Sequence, residues 1–146
     1  MRLRRIDHVG IAVEDLERSV ERYRATFGLA PAHRERVESQ GVEEVLFDVG
    51  GSFIQLLGAL SSDTTVGRFL QRRGPGLHHV GYRVDDVADA LESLRREGAR
   101  LIDEVPRPGS RGTTIAFVHP ASFEGVLVEL VQEGRGAADR EPGSSS

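Results

Sequence analysis

Apolar and polar positions along the chain follow a pattern that occurs twice. The run Ile6-Asp7-His8-Val9-Gly10-Ile11-Ala12-Val13 has strand length and returns as Leu77-His78-His79-Val80-Gly81-Tyr82-Arg83-Val84. Behind each copy the apolar spacing becomes helical, with Leu16, Val20, Tyr23 and Phe27 in the first half and Val87, Leu91 and Leu94 in the second. Asp15 and Asp86 stand where an N-cap is wanted, and Gly28 and Gly98 stand where a helix would stop. Three strand-like runs follow each helix, at 33–38, 43–49 and 52–57, then at 100–104, 113–118 and 126–131. Gly50-Gly51 marks a hairpin between two of them.

Each half therefore reads β-α-β-β-β, and the predicted class is α+β, with the two repeats forming a cupped mixed sheet. Between the halves, Val66, Phe69 and Leu70 lie at helical spacing and Gly74-Pro75-Gly76 breaks the run, so a linking helix is expected over about 64–74. The expected organisation is one domain over 1–133, with repeat one at about 4–60 and repeat two at about 76–133. Residues 134–146 hold Gly, Ala, Ser and charge without periodic apolar positions, the pattern of a disordered tail.

Composition narrows the chemistry. A length of 146 residues with 38% hydrophobic and 29% charged residues suits a globular domain with a real core. The net charge of -4 gives no reason to expect nucleic acid. There is no cysteine, which excludes disulfides, thiolate ligands and cysteine nucleophiles. Arg2, Arg4 and Arg5 are followed by the polar Asp7, His8, Glu14 and Asp15 rather than by a signal-peptide apolar region, and no run approaches the ~18 apolar residues of a membrane span, so a cytoplasmic protein is expected.

His8 and His79 hold the same position in the two copies. Gln55 in Phe53-Ile54-Gln55-Leu56-Leu57 and Glu129 in Leu127-Val128-Glu129-Leu130-Val131 are each the polar interruption of an apolar strand. A lone histidine on a strand is more often a hydrogen-bonded core residue than a ligand, and a lone Glu is usually solvated. Four such residues at duplicated positions are harder to explain that way. Alternation along a strand aims each polar residue away from its apolar neighbours, and a shared divalent cation would satisfy all four. Two imidazoles, an amide oxygen and a carboxylate suit Co, Mn, Ni, Zn or Fe better than Ca.

The segments 6–13, 23–28, 76–80, 104–109 and 125–130 together resemble the methylmalonyl-CoA epimerase family of the vicinal-oxygen-chelate class, over about residues 4–132. The resemblance implies a glyoxalase-like fold and a homodimer in which each chain forms its own site. It also implies one divalent metal ion per chain, with His8, Gln55, His79 and Glu129 as ligands. The segment Gln40-Gly41-Val42-Glu43-Glu44 resembles the family segment that ends in a catalytic base, which assigns that role to Glu44. Alternation allows only one of Glu43 and Glu44 to face the site.

The implied reaction inverts the α-carbon of a small-molecule acyl-CoA by a two-base enolate mechanism, with Glu44 and Glu129 as acid and base. Arg72, Arg73, Arg107 and Arg111 are candidates for the coenzyme A moiety, although each taken singly reads as solvated surface charge. Gly58-Ala59 stands where the family commonly has Glu-Pro, and Ser39 replaces an acidic residue, so a larger malonyl side chain such as ethyl is an open alternative. The rival readings are a glyoxalase I-like lyase or isomerase acting on a glutathione hemithioacetal, an extradiol dioxygenase, which would leave Gln55 unexplained, and a non-enzymatic ligand-sequestering resistance protein.

Overall fold

The computed structural model describes residues 1–134, so the tail expected at 134–146 lies, apart from Gly134, outside the described residues. The chain divides into two compact units, residues 7–80 and residues 1–6 with 81 onward.

In the unit of residues 7–80, β1 (Arg5–Val13) leads to α1 (Leu16–Phe27), β2 (Pro31–Val37), β3 (Val42–Val49), β4 (Ser52–Ala59) and α2 (Thr65–Arg73); β5 (Gly76–Arg83) begins there. The strand order is β2-β3-β4-β1. β2/β3 and β3/β4 are antiparallel, and β1 runs parallel to β4. The caps of α1 sit where the sequence calls for them. The Asp15 carboxylate accepts from Arg18 N at 3.0 Å, and Gly28 ends α1 in the left-handed region at φ 67°. Thr64 caps α2 by accepting from Gly67 N.

The two faces of this sheet have different partners. Val13, Val45, Phe47 and Leu56 pack with Val20 of α1. Ala12, Val42 and Leu57, one residue out of step and so on the opposite face, pack with Val66 of α2. Phe27, expected on the buried stripe of α1, is exposed and lies outside the cluster that Leu16, Val20 and Tyr23 join, its ring edged against Tyr23 at 5.4 Å.

The other unit carries α3 (Val87–Arg96), β6 (Arg107–Pro108), β7 (Thr114–Val118) and β8 (Val128–Gln132), in the strand order β5-β8-β7-β6. Asp86 caps α3 by accepting from Asp89 N at 2.9 Å. Leu91 and Leu94 of α3 cover Ala116, Val118, Val128 and Leu130. The strand expected at 100–104 is not formed. Leu101 makes a single bridge to Val118, and the paired strand is Arg107–Pro108 instead. Asp103 accounts for the difference, since its carboxylate accepts from Phe117 N at 2.8 Å where a strand backbone would have paired. Two further strands begin later than expected, at Thr114 and Val128. Among the described residues no helix is long and apolar enough to cross a membrane.

Leu91 is 1% exposed and central to its cluster. Leu91→Ala is expected to cost about 2–5 kcal/mol of stability, read from the shift of a urea unfolding midpoint.

Candidate metal centre

β1 and β4 bring the first pair of candidates together through register. In the parallel ladder Gly10 lies opposite Gln55 and His8 opposite Phe53, so His8, Gly10 and Gln55 share the sheet face opposite α1. His79 comes from β5. The three candidate ligands of this unit are all buried: His8 and His79 at 3% exposure, Gln55 at 7%. The Nε2 atoms of His8 and His79 face each other at 2.9 Å, with the ring planes crossed at 82°. Behind them, His8 Nδ1 lies 2.7 Å from Asp7 Oδ2, and His79 Nδ1 lies 2.9 Å from His78 Nδ1. His78 is itself edged against Phe69 of α2 at 5.0 Å.

Gln55 donates from Nε2 to the Glu44 carboxylate, which can only accept when ionised, so the amide oxygen must point the other way. That oxygen, Gln55 Oε1, is buried without a hydrogen-bond partner among the described residues. A buried acceptor in this state costs about 1–3 kcal/mol unless a cation or donor meets it.

Gly10 makes the arrangement possible. A Cβ there would lie 2.3 Å from His79 Cε1, 2.6 Å from His79 Nδ1 and 2.9 Å from Gln55 Oε1. The site thus brings two imidazole nitrogens and an orphaned amide oxygen together on the face that glycine clears. The donors present fit a borderline divalent cation, and any side chain at position 10 would push two of the three aside.

Glu44 is 2% exposed on the same face of β3. Glu43 points to the opposite face, where its carboxylate accepts from Arg34 Nε at 2.8 Å. Arg34 also holds Glu17 of α1, whose carboxyl it keeps below the ordinary carboxylate range through that hydrogen bond. Glu129, in the other unit, is buried on β8 between Val128 and Leu130, which pack against α3, so its side chain leaves the opposite face. It stands beside Phe117 of β7 in the ladder. Arg107 is tied up locally, 3.4 Å from Asp103 and stacked over the Phe117 ring, and Arg73 lies over Phe69.

Residue reasoning from the sequence missed Asp7, His78, Gly10 and the pair His33 and Glu35. The last two meet at 2.8 Å on β2, with Glu35 directly across the ladder from Glu44. His33, Glu35 and Glu44 form a group whose ligand-capable atoms lie within 4.8 Å of one another. The available signals were the Asp-His and His-His dipeptides at duplicated positions and the repeated glycine two residues after each histidine.

Gly10→Ala is expected to weaken Co²⁺ binding about 10-fold or more, since ligands must sit within about 0.5 Å of their productive geometry. The colliding atoms are side-chain ends, so the unfolding midpoint should shift little. Calorimetric titration of chelator-stripped protein checks this, and unchanged affinity would mean that these side chains are not the ligands.

Residues 7–117 match the Glyoxalase/Bleomycin resistance protein/Dioxygenase superfamily. The chain is 35% identical over 130 residues to the ethylmalonyl-CoA/methylmalonyl-CoA epimerase of Cereibacter sphaeroides, which covers 88% of this chain and 97% of that protein. Among solved structures it is similar to a variant of the Streptomyces coelicolor methylmalonyl-CoA epimerase in complex with 2-nitronate-propionyl-CoA, with a TM-score of 0.89 and 40% identity. A methylmalonyl-CoA epimerase in complex with methylmalonyl-CoA and NH4+ matches with a TM-score of 0.89 and 41% identity. Each of these alignments covers 92% of this chain and 97% of the other. With a family match over most of its length and relatives of this identity over nearly all of theirs, the chain belongs to the Glyoxalase/Bleomycin resistance protein/Dioxygenase superfamily and, within it, to the methylmalonyl-CoA epimerases.

Proposed function

We propose that this protein inverts the α-carbon of methylmalonyl-CoA or of a close alkylmalonyl-CoA, using one divalent cation held by His8, Gln55, His79 and Glu129 and an acid–base pair of Glu44 and Glu129. The observation that carries the reading is the buried Glu44 hydrogen-bonded to Gln55, whose amide oxygen is in turn left over beside two facing imidazoles. The relatives that bind or act on methylmalonyl-CoA support the choice of substrate.

The chemistry asks for what these residues can do. The α-proton between a thioester and a carboxylate is weakly acidic, and inversion requires its removal on one face and return on the other. A cation at this site would supply Lewis-acid stabilisation of charge on the substrate oxygens, and because Gln55 is neutral the four side chains bring it a single negative charge. Glu44 is kept from bulk water by burial, so its carboxylate is not solvated away from a substrate proton. Its bond to Gln55 couples the base to the ligand set. Glu129, buried on β8, would serve the opposite face and share its charge with the cation. Gly58, where the family commonly has Glu, has its own structural reason here. A Cβ would press on Leu16 Cβ at 3.3 Å, on the α1 face of β4 and away from Gln55.

Proton exchange at the α-carbon of methylmalonyl-CoA in deuterated water is expected to proceed with added metal and to stop on chelation. No exchange under either condition, with turnover of a glutathione hemithioacetal instead, would move the protein to the lyase reading.

Glu44→Gln should lose about 100-fold or more in turnover, the usual worth of a positioned general base, while binding Co²⁺ nearly as well as the parent. Glu43→Gln should keep near-parental turnover, because Glu43 faces Arg34 on the other side of the sheet. Reversal of the two phenotypes would reassign the base.

A further inference from the structure

In both halves the residue immediately before the site histidine touches that histidine's Nδ1, but the two contacts differ in kind. Asp7 is fully buried, and its Oδ2 lies 2.7 Å from His8 Nδ1. His78 is partly buried, and its Nδ1 lies 2.9 Å from His79 Nδ1. An ionised carboxylate has no proton to give, so the Asp7 contact requires His8 to donate from Nδ1. A neutral imidazole that donates from Nδ1 carries its lone pair on Nε2. His8 Nε2 is the atom that faces His79 across 2.9 Å.

We propose that Asp7 is a positioning residue for His8. Its carboxylate locks the ring in the Nδ1–H tautomer, fixes the ring's orientation, and makes Nε2 a stronger donor to a divalent cation. This rests on the reading of His8 and His79 as metal ligands. The His78 contact is of another kind, since a ring nitrogen can donate or accept there whereas an ionised carboxylate only accepts. The pair of histidines is therefore unequal: His8 is committed to a single tautomer by a buried carboxylate, and His79 meets a second imidazole that leans on Phe69. Complete burial makes the alternative of a solvent-facing strand residue untenable for Asp7. A buried carboxylate is tolerated where strong hydrogen bonds or nearby positive charge compensate it, and the bond from His8 is one such partner.

The test uses the full chain stripped of metal, with Co²⁺ as the probe in calorimetric titration, and reads the unfolding midpoint of the metal-free protein alongside. Asp7→Ala is expected to weaken Co²⁺ binding by about 10- to 100-fold, the usual effect of losing such an outer partner. Asp7→Asn has nearly the same volume and can still accept from Nδ1–H but carries no charge, so it should fall between the parent and Asp7→Ala. It also remains informative if the alanine variant does not fold. Long-range ¹H–¹⁵N spectra of the metal-free protein supply a readout that simple packing would not move: His8 should be the Nδ1–H tautomer in the parent and lose that preference in Asp7→Ala.

Parental affinity in both variants, with His8→Ala unable to bind, would overturn the role of Asp7 and leave the ligand assignment standing. Failure of the parent itself to bind Co²⁺ would overturn both. A lower unfolding midpoint with unchanged affinity would make Asp7 a packing residue only.

Discussion

The approach of two imidazole Nε2 atoms to 2.9 Å is the contact that organises the rest of this site. Neither ring can move back freely, because Asp7 and His78 stand behind their Nδ1 atoms. Neither the His79 ring nor the Gln55 amide could sit where it does if Gly10 had a side chain. The parallel register of β1 on β4 then sets Gln55 across from Gly10, and the antiparallel register of β3 on β4 sets Glu44 near enough to hold the amide. One close approach of backbone to side chains thus fixes a glycine, two registers and the orientation of an amide.

Much of this was legible in the sequence because a duplicated unit leaves duplicated marks. The helices, their caps and the linking helix follow from apolar spacing and from Asp15, Asp86 and Gly28, since these effects are local. The pairing of His8 with His79 followed from repetition alone. The stretch 100–104 was misread because its apolar residues, Leu101 and Ile102, suggest a strand, while the deciding interaction is a side-chain bond from Asp103 to a backbone amide 14 residues away. Phe27 was misread for a similar reason, since periodicity says which stripe a helix turns to the core but not which of its residues reach it.

The glutamates at 43 and 44 show where local pattern stops and partner chemistry decides. Alternation says that one of them faces the site, and it is blind to which. The fold breaks the tie twice over. Leu57, opposite Glu44, belongs to the face that also carries Gln55, while Arg34 waits on the other side for Glu43 and binds Glu17 of α1 with the same guanidinium. Arg34 therefore does more than neutralise a surface charge. It anchors Glu43 on the outward face, and alternation then leaves Glu44 on the inward one.

Asp7 was invisible for the opposite reason. Successive residues on a strand are expected to serve opposite faces, so an acidic residue beside a candidate ligand histidine reads as belonging elsewhere. The contact escapes that rule because Nδ1 is the ring nitrogen nearer the backbone, within reach of a side chain that starts on the other side of the strand. The same geometry recurs at His78 and His79, so it is a property of the duplicated strand rather than of one residue. In both copies the position before the histidine is the one whose side chain meets Nδ1. A duplicated fold then needs only one change at that position, acid in one copy and imidazole in the other, to make two equivalent histidines chemically unequal.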